Sequence, residues 1–313
     1  MSDRVLVTGA AGFIGSQLCR RLVADGVEVV GLDDLSDGTV ENLRDLPEVR
    51  LVEADLLDEV AVASAARDCR AILHQGAKRS VLRSVDYPAL TMDVNIRGTT
   101  NVLLAARDTG AVVVSASSSS VYGDQDTFPL RESQEPRPRS PYAVSKLAAE
   151  VCCAGLHRSL DVRALSLRYF NVYGPGQDPT SEYALVVPLF TVACLSGTQP
   201  VIHGDGEQSR DFTYIDDVVE ANIRAARAPD TAFGLAYNIG GGGSPTSVNR
   251  LLDLIARESG VKADPIYEPT RPGDVRMTHA DVSLARARFG YEPTIGIDEG
   301  IRRTVASFKG VAA

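Results

Sequence analysis

The sequence lacks several features that mark other classes of protein. No apolar run in its 313 residues approaches the length of about 20 that crosses a bilayer, so a membrane protein is not expected. Basic residues do not dominate, since 32 Lys and Arg stand against 41 Asp and Glu, for a formal net charge of −9. That balance opposes an extended phosphate backbone and makes nucleic acid an unexpected partner, although single arginines can still hold a small phosphorylated ligand. The five cysteines, Cys19, Cys69, Cys152, Cys153 and Cys194, are odd in number and show neither a disulfide framework nor metal-ligand spacing. They read as reduced packing residues, and no metal is expected. The opening MSDRVLVTGAAG enters an apolar strand pattern directly, without the basic segment and apolar core of a leader, and the expected location is the cytoplasm.

What is present is an alternation. RVLVTG, VEVVGLD, RLVEAD, AILHQG, AVVVSAS and VRALSLRYF are short apolar runs, each followed by a longer or more polar segment. Runs that are continuously apolar suit strands buried on both faces, and crossovers of this length imply a doubly wound parallel sheet in the α/β class. Past about residue 171 the rhythm gives way to Gly- and Pro-rich loops with helical patterns at 184–196, 216–227, 247–259, 281–289 and 297–309. The expected organisation is a Rossmann-type nucleotide-binding domain over 1–171, with part of 210–240 returning to it, and a smaller mixed α/β substrate domain over 172–313. GGGG at 240–243, just after a strand pattern, reads as a tight turn.

VTGAAGFIGSQL places Gly9, Gly12 and Gly15 where the first strand gives way to a helix. Glycines allow a tight turn and close approach of a pyrophosphate, and the free N–H groups of the helix start favour the anion. The spacing is GxxGxxG, and Asp33 ends a second strand about 20 residues on, where a carboxylate can hold an adenosine ribose. Asp33 would repel a 2′-phosphate, so the expected cofactor is NAD and not NADP. Asp34 follows it, and Asp55 and Leu56 after the third strand could border an adenine.

ASSSSVYG at 116–123 ends a strand pattern with hydroxyls. Downstream, PRSPYAVSKLAAE opens a helix with Ser140 as N-cap and Pro141 at its first position. Tyr142 and Lys146 are four apart and share one face. An ammonium beside a phenol lowers its pKa toward working pH, as a general base for an alcohol proton requires.

Together, VTGAAGFIGSQL, ILHQGA, SSSSVYG, SPYAVSK, LRYFNVYGPGQDP, GDGEQSRDFTYIDDV and RPGDVR resemble the extended short-chain dehydrogenase/reductases, specifically the nucleotide-sugar 4-epimerases. The resemblance implies Ser118, four residues before the Tyr of VYG, as the hydroxyl that bridges sugar O4, with Tyr142 as base and Lys146 as its partner. It implies transient oxidation at C4 to a 4-keto sugar and return of the hydride to the other face. Dehydratase relatives carry Asp-Glu after that hydroxyl residue and decarboxylase relatives a Glu, whereas this chain has Ser119 and Ser120. Around the cofactor the resemblance adds Phe13, Ile14, Gln75, Gly76, Ala77, Asn95 and Tyr169. Asn171, Arg210 and Arg271 are implied for the nucleotide diphosphate, with Ser80 and Val186 at the substrate, and His203 could flank the uracil or be solvated. His74 reads as a strand-end packing residue. Thr278 occupies the position that limits room for a C2 N-acetyl group, and Arg79, where the N-acetyl-preferring branch has Gly, could narrow the pocket, pair with a carboxylate or turn to solvent. The expected substrates are UDP-hexoses, plain or N-acetylated, with UDP-glucuronate or another UDP-sugar oxidoreductase reaction as an alternative. A silent NAD-binding sensor is the alternative from another class. A homodimer through the helices after Asp93 and Tyr142 is implied as well.

Overall fold

The computed structural model describes residues 3–179, 185–270 and 275–312. Six strands, β1 (Arg4–Thr8), β2 (Glu28–Asp33), β3 (Arg50–Glu53), β4 (Cys69–His74), β5 (Val112–Ser118) and β6 (Ala164–Tyr169), lie parallel in the order β6-β5-β4-β1-β2-β3. A seventh, Ala236–Ile239, pairs in parallel beyond β6. The central strands are buried along almost their whole length, which is why they read as unbroken apolar runs.

Pleating sends alternate side chains to opposite faces. Val5 and Val7 enter one hydrophobic cluster and Leu6 the other. The first cluster is closed by α1 (Phe13–Ala24) and, from far along the chain, by a helix over Ile215–Ala225. The second is closed by α2 (Glu59–Ala66), α5 (Thr99–Thr109) and α6 (Pro141–Leu160). Between α2 and α5 the chain makes two short helices, α3 (Val81–Asp86) and α4 (Pro88–Met92), and a π-helical turn over Asp93–Gly98. Both packed on α6, α3 and α4 form one rim of the site.

The later chain adds α7 (Val186–Ser196), α8 (Ile215–Ala225), α9 (Val248–Ser259), α10 (Ser283–Phe289) and α11 (Ile297–Ala312). Helices α7, α9 and α11 pack on one another. The four glycines at 240–243 pass through a bend at Gly242–Gly243 without a turn hydrogen bond of their own; the Gly241 N–H donates to Asp211 Oδ1 at 2.7 Å, and a Cβ at Gly241 would overlap the Phe212 carbonyl. Among the described residues, no helix is long and apolar enough to cross a membrane.

Candidate active site

A cleft of about 1480 Å³ opens at the carboxyl ends of the parallel strands, where open α/β sheets bind their ligands. It is larger than a pocket for one drug-sized molecule, so a dinucleotide and a second ligand have room together. One face of α7 closes it, carrying Leu185, Leu189, Val192 and Ser196 at helical spacing.

Gly9 has φ +67°, and a Cβ there would stand 2.7 Å from the Gly76 nitrogen. A Cβ on Gly15 would overlap the Gly9 carbonyl. The turn therefore brings β1, the start of α1 and the end of β4 as close as backbones permit. Gly12 caps α1 without a side-chain bond, leaving the first-turn N–H groups, those of Phe13 and Ile14 among them, for an anion. At the tip of β2, Asp33 is buried and accepts the Ala11 N–H on one oxygen and the Leu35 N–H on the other, each at 2.9 Å. Burial raises its pKa while these two donors oppose the rise. Asp34 is lowered: burial pushes it up, but the Ser36 hydroxyl and amide and the Lys78 ammonium outweigh that. Asp55, Leu56, Gly76 and Ala77 line the same end. A glycine cradle that a Cβ would fill, a helix start and a fixed carboxylate suit NAD.

At the other end stand Ser118, Tyr142 and Lys146. Ser140 caps α6 by accepting the Ala143 N–H at 3.1 Å, with Pro141 in the first turn, so Tyr142 and Lys146 lie in the first two turns. The Lys146 ammonium donates to the Ala116 carbonyl at 2.8 Å and lies 6.0 Å from the Tyr142 ring centroid. The Ser118 hydroxyl donates to Ser120 Oγ at 3.0 Å and also stands in hydrogen-bonding relation to the Tyr142 phenol. Burial brings the Lys146 pKa down to about 8. The Tyr142 phenol is raised by burial, with the Ser118 bond and the Arg79 charge working against the rise. The sequence reading had Lys146 lowering the phenol. In this structure burial outweighs the downward pull of the Ser118 bond and of Arg79, an exposed guanidinium on the cleft rim beside Ser80.

Gln75 and Tyr169 line the cleft but face each other. The Tyr169 hydroxyl lies 3.2 Å from Gln75 Oε1 and takes a bond from Asn222 of α8 at 2.8 Å. His74 is wholly buried between the Thr8 and Thr99 hydroxyls at 2.7 and 3.0 Å, and burial brings its pKa to about 3, as suits a packing residue.

Several expected residues are not brought to the cleft. Asn95, in the π turn, gives its amide to both backbone groups of Lys78 (2.8 and 3.0 Å) and to Ser145 Oγ, and does not line the cleft. Val186 turns away because the cleft face of α7 is set by Leu185 and Leu189. His203 lies in a short strand paired with Ile266–Glu268, its ring 3.5 Å from Glu268. Arg210 donates to the Ser209 carbonyl at 2.8 Å, outside the cleft lining. Thr278 is buried one layer back: its hydroxyl accepts the Asp211 N–H at 3.2 Å and donates at 3.3 Å to Asn171, which does line the cleft. Arg271 lies outside the described residues.

Two groups went unseen in the sequence. Lys78 bridges Asp34 at 3.2 Å and Asp37 at 3.8 Å across the cofactor end. Glu150, a turn beyond Lys146, holds a buried ion pair with Arg168. Only the Tyr142, Lys146, Glu150 spacing could have signalled the second.

The profile of the NAD dependent epimerase/dehydratase family matches residues 5–240. A UDP-glucose 4-epimerase of Mycolicibacterium smegmatis is 41% identical over 312 residues, 98% of each chain. The crystal structure of a Thermotoga maritima UDP-glucose 4-epimerase with UDP-glucose superposes with a TM-score of 0.94 at 36% identity, covering 99% of this chain and 100% of that one. A UDP-N-acetylglucosamine 4-epimerase of Methanobrevibacter ruminantium M1, in complex with UDP-N-acetylmuramic acid, gives 0.93 at 35% identity, covering 99% and 100%.

Proposed function

The chain belongs to the NAD dependent epimerase/dehydratase family, and from that premise we propose that it interconverts the C4 epimers of UDP-hexoses, accepting plain and N-acetylated sugars. This reading is carried by the convergence of Ser118, Tyr142 and Lys146 at one end of a cleft whose other end is the glycine turn and Asp33. Water elimination would need a further acid and base beside Ser118, and the next two positions are the hydroxyls of Ser119 and Ser120.

NAD, when bound, supplies the hydride acceptor and donor at sugar C4 and a positive ring that favours a nearby phenolate. Tyr142 takes the O4 proton when C4 is oxidised and gives it back on return. Ser118 holds O4 in line with that phenol. Lys146, fixed on the Ala116 carbonyl, supports the phenolate electrostatically from the next turn of α6. Asn171 lines the sugar side, and the small Thr278 behind it leaves room for a C2 substituent.

Purified protein incubated with UDP-glucose, UDP-N-acetylglucosamine and UDP-glucuronate, followed by separation of the 4-epimers, tests the reading. The first two should yield product without lasting reduced-nicotinamide absorbance. Lasting absorbance would make the protein a dehydrogenase, and neither product nor absorbance would make it a sensor. Product from UDP-glucuronate alone would assign Arg79 to a carboxylate and overturn the hexose assignment. In Thr278→Tyr, the added ring must push Asn171 toward the sugar, so N-acetyl turnover should fall tenfold or more while UDP-glucose turnover stays within about threefold.

We further propose that a second copy of the chain is the protein partner. The helix after Asp93, α5, is largely buried against α2 and α6, so the apolar surface open to a partner lies instead on α3 and α6.

A further inference from the structure

Beneath the catalytic residues lies a buried ion pair that the chemistry above does not use. Glu150 of α6 and Arg168 of β6 are joined by two bonds, Nε to Oε1 at 2.9 Å and Nη2 to Oε2 at 2.7 Å, with side chains 7% and 6% exposed. The Ser117 hydroxyl of β5 donates to the same Oε1 at 2.5 Å. Arg168 Nη1 donates to the Tyr122 hydroxyl at 2.9 Å, which donates to Asn238 Oδ1 of the seventh strand at 2.7 Å.

Two charges removed from water are a poor source of stability, because well-packed apolar residues of similar volume do as well or better. Such a pair does supply direction. Three short bonds onto one carboxylate fix α6 in both translation and rotation over β5 and β6, which apolar packing, with its shallow dependence on angle, does not. The location matters. Tyr142, Lys146 and Glu150 recur every four residues on one face of α6, and Ser117 immediately precedes Ser118. We propose that the Glu150–Arg168 pair, with Ser117, is the positioning device that sets α6 against β5 so that Tyr142 and Lys146 meet Ser118. Glu150 acts through these residues and does not touch substrate.

Glu150 also adds a charge. The groups around Lys146 are Tyr142, Glu150 and Cys153 on α6, His74 on β4 and the Ala116 carbonyl on β5. Burial lowers the Lys146 pKa, and Cys153 and Glu150 oppose the fall. Loss of the Glu150 charge should therefore lower it further.

The proposal rests on the reaction proposed above, so its test has readouts with and without turnover. The double variant Glu150→Leu/Arg168→Met removes both charges without orphaning either. It should unfold at or above the wild-type temperature, keep KM within about twofold and lose at least tenfold in kcat. Ser117→Ala keeps the ion pair and should lose about threefold in kcat with KM unchanged, which preserves the test if the double variant does not fold. The chain's lysines are Lys78, Lys146, Lys262 and Lys309, so NMR of isotope-labelled lysine can follow Lys146 directly. Its titration should move to lower pH in Glu150→Gln. A folded double variant, or Ser117→Ala, with wild-type kcat would overturn the proposal, and an unmoved Lys146 titration would remove the charge of Glu150 from it. Wild type that yields no 4-epimer would instead overturn the proposed function, and the titration would still decide whether the Glu150 charge reaches Lys146.

Discussion

At the scale of single residues, burial decides the chemistry. The Tyr142 phenol sits above its ordinary pKa of 10 and Lys146 is brought down to about 8, both by desolvation. Neither is poised alone. A phenol raised in this way becomes a base only when positive charge gathers around it, and the chain contributes Arg79 and the Lys146 ammonium. As pH rises through about 8 that ammonium is lost. The expected kcat profile therefore falls on the alkaline side near pH 8, the opposite of what a phenol titrating by itself would give. Removing the hydroxyl in Tyr142→Phe should leave unfolding temperature and NAD content near wild type and lower kcat by at least a hundredfold, within the range of a lost general base. Ser118→Ala, which removes a hydroxyl that orients but does not take the proton, should cost less. Wild-type turnover by Tyr142→Phe would remove this tyrosine from the mechanism.

At the scale of elements, the strand-to-helix turn at Gly9–Gly15 leaves no room for a side chain at either end. A methyl at Gly15 would overlap the Gly9 carbonyl and stand 2.9 Å from Ala10 Cα, so Gly15→Ala must open the turn. Overpacking of this kind costs about 1–3 kcal/mol, and the displaced N–H groups should weaken NAD by tenfold or more in a titration. Gly243→Ala, where an added Cβ meets nothing within 4 Å, is the control and should bind NAD as wild type does. The same turn shows why much of the fold was legible in the sequence. Strands buried on both faces must be apolar runs, and the Ser140-Pro141 start of α6 and the glycine turn depend on local backbone chemistry that neighbouring residues declare. What sequence could not declare depends on faces and long-range pairs. Val186 is one residue from Leu185, yet about 100° of helical rotation takes it off the cleft. Asn95 looked available for cofactor, but its amide is consumed by Lys78, 17 positions away. Glu150 meets Arg168 only once α6 is laid on β6, and the sign of the Tyr142 shift needed a burial that no local pattern carries.

At the scale of the whole molecule, α6 has two jobs on two faces. Its inner face carries Tyr142, Lys146 and Glu150, while its outer face leaves Val144 40% and Val151 61% exposed, next to Val85 of α3 at 63%. The two helices are joined where the Tyr142 N–H donates to Ser84 Oγ at 3.1 Å. Gly155 continues the outer stripe, seven and eleven positions after Ala148 and Val144. A Cβ there would meet nothing within 4 Å, so packing inside the chain does not require glycine, although glycine costs a helix interior about 1 kcal/mol relative to alanine. Close approach of another helix gives that glycine a reason. A second copy laid across this stripe would brace α6 from behind while the Glu150–Arg168 pair holds it from the front. Wild-type protein should therefore sediment as a dimer of the 33.4 kDa chain at micromolar concentration. Val151→Glu would place a carboxylate on the apolar stripe that a second copy would cover. Its dimer dissociation constant should rise at least a hundredfold, and kcat should fall severalfold as the dimer is diluted away, with substrate KM little changed. A monomeric wild type at tens of micromolar would show that this stripe is simply surface, and dilution without loss of kcat in Val151→Glu would show that α6 needs no brace.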